Sequence, residues 1–229
     1  MNNPIYLSFN DWFAQARLWL DLLVIAWLVS IINGGFFNWQ LNRFGVYPRD
    51  FWSLFRIPLA PFLHGDWAHL VGNTKYYLLL GGLVVLRDPS DFAVVSITTL
   101  LVSGFLGWCF GRAKASYIGA SGVITGYLGF LLTQIVVAKD AFSAIFFSLI
   151  VFSFFFGEMI VFPRLTGEKN TWNFGNTLVW GMTPIVANNV AWESHLFGFF
   201  GGVITAYYLL PFKDWLKQLI ILWKNFIIG

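Results

Sequence analysis

The sequence predicts an all-α polytopic membrane protein, on three observations: its composition, the length of its apolar runs and the short hydrophilic breaks that separate them. Of 229 residues, 58% are hydrophobic, 20% aromatic and only 11% charged, where a soluble domain carries roughly 45 to 50% apolar and about 25% charged residues. Crossing a hydrocarbon core of about 30 Å takes roughly 20 mostly apolar residues as a helix, because a backbone in lipid must satisfy its own hydrogen bonds. Six segments qualify: 18–37, 70–86, 92–111, 121–138, 142–162 and 190–210.

Taken in order, the first run is too long for a signal peptide and lacks a small-residue cleavage pattern after it, so it reads as a retained span. The stretch 38–63 is too apolar for a plain loop. It sets Trp39, Phe44, Tyr47, Phe51, Trp52, Phe55 and Phe62 among Arg43, Arg49 and Arg56, the mixture that the membrane interface satisfies. Arg87-Asp88-Pro89-Ser90-Asp91 separates the second span from the third, Arg112-Ala113-Lys114 the third from the fourth, and Lys139-Asp140 the fourth from the fifth. A longer stretch, 163–189, precedes the sixth. The tail, about 211–229, mixes Lys213, Lys217 and Lys224 with Leu, Ile and Trp and reads as an interfacial amphipathic helix. The whole chain, 1–229, is expected to form a single membrane domain with its six-helix core at about 18–210.

The net charge of +3 comes from 14 lysines and arginines scattered singly, with no basic face for nucleic acid. The one cysteine, Cys109, permits no internal disulfide. Six spans put both termini on one side of the membrane. Counting Lys and Arg gives six on that side against seven on the other, which does not decide orientation. The cationic tail argues for cytoplasmic termini, and the expectation is a multi-pass protein of the plasma (inner) membrane.

Ionisable groups inside spans are costly, so each is a functional candidate. All three histidines, His64, His69 and His195, lie in or beside spans. In Pro61-Phe62-Leu63-His64-Gly65-Asp66-Trp67-Ala68-His69-Leu70-Val71-Gly72-Asn73, His69 and Asn73 are four apart and share a helix face, able to aim two donors at one point. His64 lies off that face, in the lead-in loop. Hydrogen-bonding between helices is the plainer role for any one of these groups.

Tyr117-Ile118-Gly119-Ala120-Ser121-Gly122-Val123-Ile124-Thr125-Gly126 places a serine between small residues where an apolar helix begins, beside free N–H groups that suit an anion. Gly122, Gly126 and Gly129 form a small-residue stripe on that span, and His195, Gly198 and Gly202 form another on the sixth. Such stripes let membrane helices approach closely. Close approach is what Ser121 and His195, on separate helices, need to act as a nucleophile and its general base. His69, Asn73 and the Ser121 backbone N–H are then candidate oxyanion donors.

This set, Gly-Ala-Ser-Gly opening the fourth span, a histidine followed by small residues in the sixth and His-x4-His-x3-Asn entering the second, resembles the rhomboid family of intramembrane serine proteases. The resemblance implies a six-helix rhomboid-like bundle with an interfacial first loop. It puts the nucleophile on Ser121, the base on His195, oxyanion stabilisation on His69, Asn73 and Ser121, and a structural role on His64. Gly119, Gly122, Gly126, Gly198 and Gly202 become supporting residues. It implies cleavage of membrane-protein substrates in or near their membrane segments, with no metal, organic cofactor or acid partner. The lipid bilayer is its other partner, and the oligomeric state stays open. Two departures stand out. Thr125 occupies the position four after the nucleophile where many rhomboids carry a tyrosine that stacks on the base, and the Trp-Arg pair common in the first loop is not evident. The 142–162 span and the 163–189 stretch are candidates for a movable gate and cap.

Three other readings compete. A zinc protease could use three histidines, but His-Glu-x-x-His spacing is absent and Asp66 is misplaced for a ligand. An inactive rhomboid-like protein that binds membrane clients would usually lack the serine or the histidine, and both are here. A transporter could use Lys75, Glu158 and Glu193, but no paired broken helices accompany them; Glu193, two before His195, is expected to point to another face.

Overall fold

The computed structural model describes residues 9–113, 115–137, 139, 144–145, 148 and 191–228. The fifth predicted span, the 163–189 stretch and Glu158 lie outside the described residues, apart from 144–145 and 148. Among the described residues, helices stand at five of the predicted spans and at the predicted tail.

α1 (Phe9–Phe36) begins well before the predicted span. Its added turns carry Arg17, which forms an exposed i,i+4 pair at 3.4 Å with Asp21 in the first turn of the predicted span. Asn33, fully buried, ends it: its backbone oxygen accepts from Trp39 N–H at 2.9 Å, and its side chain accepts from Leu41 N–H at 2.9 Å. The loop that follows is built of short 3-10 turns at Gln40–Phe44 and Ala60–Phe62 around α2 (Phe51–Leu54), which Asp50 caps. Phe51, Trp52 and Phe55 form an exposed aromatic rim, and the Arg43 and Arg56 guanidinium groups sit 5.0 and 5.8 Å from the Phe44 ring. That pairing suits a membrane interface.

The second predicted span is a helix in three pieces, α3 (Trp67–Tyr76), a π turn at Tyr77–Gly81 and α4 (Gly82–Arg87). The π turn lies against α1, where Trp19 Nε1 donates to the Tyr77 carbonyl at 3.4 Å and the Tyr77 hydroxyl donates to the Trp19 carbonyl at 2.9 Å. α5 (Pro89–Phe110) starts from Asp88 at the N-cap with Pro89 in the first turn, where its missing N–H is no loss. Cys109, near the end of α5, is half-buried. α6 (Ser121–Val137) runs 17 residues, about 25 Å of rise. α7 (Trp192–Tyr207) is the sixth predicted span, shortened at its C-terminal end. The chain bends by 89° at Tyr208 into α8 (Leu209–Ile228), so the tail helix begins earlier than predicted and lies across α7. Among the described residues, two helices are long and apolar enough to cross a membrane alone, and the α7–α8 pair adds a third if counted as one span.

The packing centre is α6 against α7 and α5. A methyl group on Gly198 would overlap the Gly122 carbonyl oxygen, and one on Gly202 the Gly126 carbonyl oxygen. The two glycine stripes therefore meet face to face, backbone to backbone. Tyr127 and Phe130 of α6 are fully buried, and the Tyr127 ring stands 5.7 Å from Phe92 and 6.1 Å from Tyr77. At the far end of the bundle from Ser121, a polar cluster joins the elements: Lys213 of α8 donates to Asp88 at 3.0 Å and pairs with the fully buried Asp91, which also pairs with Arg87.

Candidate active site

Ser121 is the first residue of α6 and His195 lies in the first turn of α7. The glycine contact between these helices brings their starts together, and His195 Nε2 lies 2.8 Å from Ser121 Oγ. The backbone is tied at the same level. The Thr125 hydroxyl reaches the Ser121 and Gly122 carbonyls at 3.1 and 2.9 Å and, across the helix interface, the His195 carbonyl at 3.0 Å. A serine hydroxyl in contact with an imidazole nitrogen is the arrangement of a base-activated nucleophile.

α3 brings the other two predicted residues to the same place. Asp66 caps it by accepting from His69 N–H at 2.7 Å, a role visible as an acidic residue just before an apolar helix and not the metal role weighed for it above. Gly65 N–H donates to His69 Nδ1 at 3.3 Å. With Nδ1 accepting, the neutral ring carries its proton on Nε2. Gly119 has φ +97°, a left-handed conformation that only glycine adopts without strain, and its N–H donates to the Ala60 carbonyl at 2.8 Å. A side chain there would come within 2.7 Å of His69 Nε2 and 3.0 Å of Asn73 Nδ2. Two side-chain N–H groups thus converge beside the turn that delivers Ser121. Asn73 Nδ2 is buried and has no hydrogen-bond acceptor among the described residues, so it is a donor held ready for one.

His64 is buried behind this point. Its Nδ1 lies 3.3 Å from Ser30 Oγ of α1, its carbonyl accepts from Asn42 at 2.8 Å, and its ring meets His69 edge-on at 5.2 Å. Burial, and after it the neighbouring His69, push the His64 imidazole down to about 4. An apolar cavity of about 280 Å³ lies beyond Asn73, walled by Leu22, Leu23, Ile97 and Val123, and it contains neither Ser121 nor His195. Among the described residues no three His, Cys, Asp or Glu side chains surround a common point.

Glu193 does point away from Ser121, as expected, but into a site the sequence did not suggest. Its carboxylate is buried and accepts from Arg112 Nε at 2.7 Å. The Tyr117 hydroxyl accepts from the Arg112 backbone N–H at 3.2 Å; burial first, then the Glu193 charge, push that phenol up to about 12.

Fold and site together define a helical membrane protein with a serine–histidine pair at the junction of two glycine-striped helices. Residues 48–212 match the Rhomboid domain family, and the chain belongs to that family. It is 29% identical over 205 residues to an uncharacterized protein of Mycobacterium leprae (strain TN), covering 86% of this chain and 72% of that one. It is 28% identical over 195 residues to an uncharacterized protein of Mycobacterium tuberculosis (strain ATCC 25618 / H37Rv), covering 82% of this chain and 71% of that one.

Proposed function

We propose that this chain is an intramembrane serine endopeptidase that cleaves membrane-protein substrates in or near their membrane segments. The observation that carries the reading is the 2.8 Å contact between His195 Nε2 and Ser121 Oγ. His195 accepts the hydroxyl proton as Ser121 Oγ attacks the scissile carbonyl. The negative oxygen of the tetrahedral intermediate falls among His69 Nε2–H, Asn73 Nδ2–H and the Ser121 backbone N–H. Collapse breaks the C–N bond, and His195 returns its proton to the leaving amine. Water, deprotonated by the same imidazole, then attacks the acyl carbon, and the imidazolium returns that proton to Ser121 Oγ as the C–Oγ bond breaks. The pair needs no carboxylate, because the Thr125 bond to the His195 carbonyl holds the turn that carries the imidazole. The protein is an integral membrane protein, placed by this reading in the plasma membrane with cytoplasmic termini.

The test is labelling of the purified protein by a fluorophosphonate probe, beside Ser121→Ala and His195→Ala. Labelling of the wild type that both substitutions abolish supports the dyad. A folded wild type that stays unlabelled overturns it in favour of an inactive rhomboid-like protein that binds membrane clients.

A further inference from the structure

α7 begins without a capping side chain, its first turn closed by Ser194 N–H and His195 N–H donating to the Ala191 carbonyl at 3.0 and 3.4 Å. That turn carries His195, and a shift of one ångström there breaks the contact with Ser121. Thr125 holds it from the α6 side. The same turn carries Glu193, whose side chain is only 4% exposed, a placement a carboxylate tolerates when its oxygens are filled. They are filled from one corner of the fold. Arg112 donates from Nε at 2.7 Å, from Nη2 at 3.4 Å and from its backbone N–H at 3.3 Å.

The corner is itself anchored. Val46 and Tyr117 exchange backbone hydrogen bonds at 3.0 and 2.8 Å, Arg49 N–H donates to the Trp108 carbonyl at 3.0 Å, and Arg49 Nη1 donates to the Gly111 carbonyl at 2.8 Å. A rigid path therefore runs from the first loop through the α5–α6 corner to the residue two before His195. A buried ion pair adds little net stability over an apolar replacement, and its better attested use is to fix register.

We infer that Glu193 and Arg112 are positioning residues for His195: their ion pair fixes the first turn of α7 against the corner, and so sets the approach of the imidazole to Ser121. This rests on the dyad reading above.

The experiment measures fluorophosphonate labelling rate per folded molecule, kcat and KM on a transmembrane peptide, and the thermal midpoint. It does so for the wild type, Glu193→Gln, Arg112→Gln and the charge swap Glu193→Arg with Arg112→Glu. Each single variant is expected to lose about tenfold or more in labelling rate and kcat, the scale of a misplaced catalytic group. KM stays at the wild-type value, and the swap recovers part of the loss. Wild-type rates per folded molecule in both single variants overturn the inference while leaving the dyad standing. So does a loss that only follows the folded fraction, including failure of both single variants to fold. An unlabelled, folded wild type removes the dyad and this inference with it.

Discussion

The Thr125 hydroxyl donates to the backbone carbonyl of His195 at 3.0 Å, across the glycine contact between α6 and α7. Where many rhomboids place a tyrosine ring against the base, this chain puts a small side chain that acts on the backbone below it. The two solutions differ physically. A stacked ring orients the imidazole directly, whereas a hydroxyl shared among the Ser121, Gly122 and His195 carbonyls holds the two turns that bear the pair.

Thr125→Val keeps the shape and removes the hydroxyl, leaving the His195 carbonyl without that donor. A stability loss of about 1 kcal/mol is expected, with a several-fold slower labelling of Ser121. Thr125→Ser keeps the donor and should label near the wild-type rate. Equal rates in the Val variant and the wild type show that the hydroxyl does not position the base.

Gly198→Ala and Gly202→Ala place a methyl group where α6 backbone oxygens already lie. Overpacking of this kind costs about 1–3 kcal/mol when the surroundings yield and more when they are backbone. Both variants should unfold at lower temperature in detergent, and Gly198→Ala should also abolish labelling by pushing His195 from Ser121. Gly72, with open space around its Cα, is the control: Gly72→Ala should be neutral or stabilising by about 0.5–1 kcal/mol.

The five spans that the described residues cover were readable because their apolar runs are closed by charged or Pro-containing breaks, and the Ser121–His195 pairing because glycines at helical spacing announce a close contact. The cap role of Asp66 left a signal, an acidic residue just ahead of an apolar helix, although from the sequence that residue is weighed only as a metal ligand. Other features depend on chain separation that no local pattern encodes. Arg112 meets Glu193 across 81 positions, and Lys213 meets Asp88 across 125. The proton position on His69 depends on the Gly65 N–H in a loop, and the early start of α8 depends on the break at Tyr208.

Asn73→Ala removes a buried donor that faces no acceptor among the described residues. A group that acts on the developing oxyanion and not on the substrate lowers kcat with little change in KM, by about 10²- to 10³-fold for one donor. Asn73→Asp should be worse still, since a carboxylate would face a negative oxygen. A change confined to KM shows that Asn73 binds substrate and leaves the oxyanion to others.

His64 carries an imidazole lowered to about 4 by burial and by His69, against 6.5 for a free ring. Between these two values the unfolded chain binds a proton that the folded chain does not, so stability falls as pH drops through the window. His64→Asn removes the titrating ring, and its thermal midpoint should change less than that of the wild type between pH 7 and pH 4. Parallel pH profiles for the two proteins assign the acid sensitivity to other groups.

Lys213 holds α8 to the corner between α4 and α5 through Asp88 and Asp91. Burial raises the Asp88 carboxyl, but hydrogen bonds from Ser90 and Lys213 outweigh it and hold the group below the usual carboxylate range. Asp91 is fully buried and keeps only Arg87 as a cation if Lys213 is removed. Removing one partner of a buried pair costs about 3–5 kcal/mol when the charge left behind is uncompensated, and less here because Arg87 still pairs with Asp91. Lys213→Met should therefore lower the thermal midpoint and raise hydrogen exchange along α8. Because this cluster lies at the end of the bundle remote from Ser121, the labelling rate per folded molecule should stay at the wild-type value. A variant whose α8 exchanges no faster than the wild type shows that apolar contacts, and not Lys213, hold the helix across the bundle.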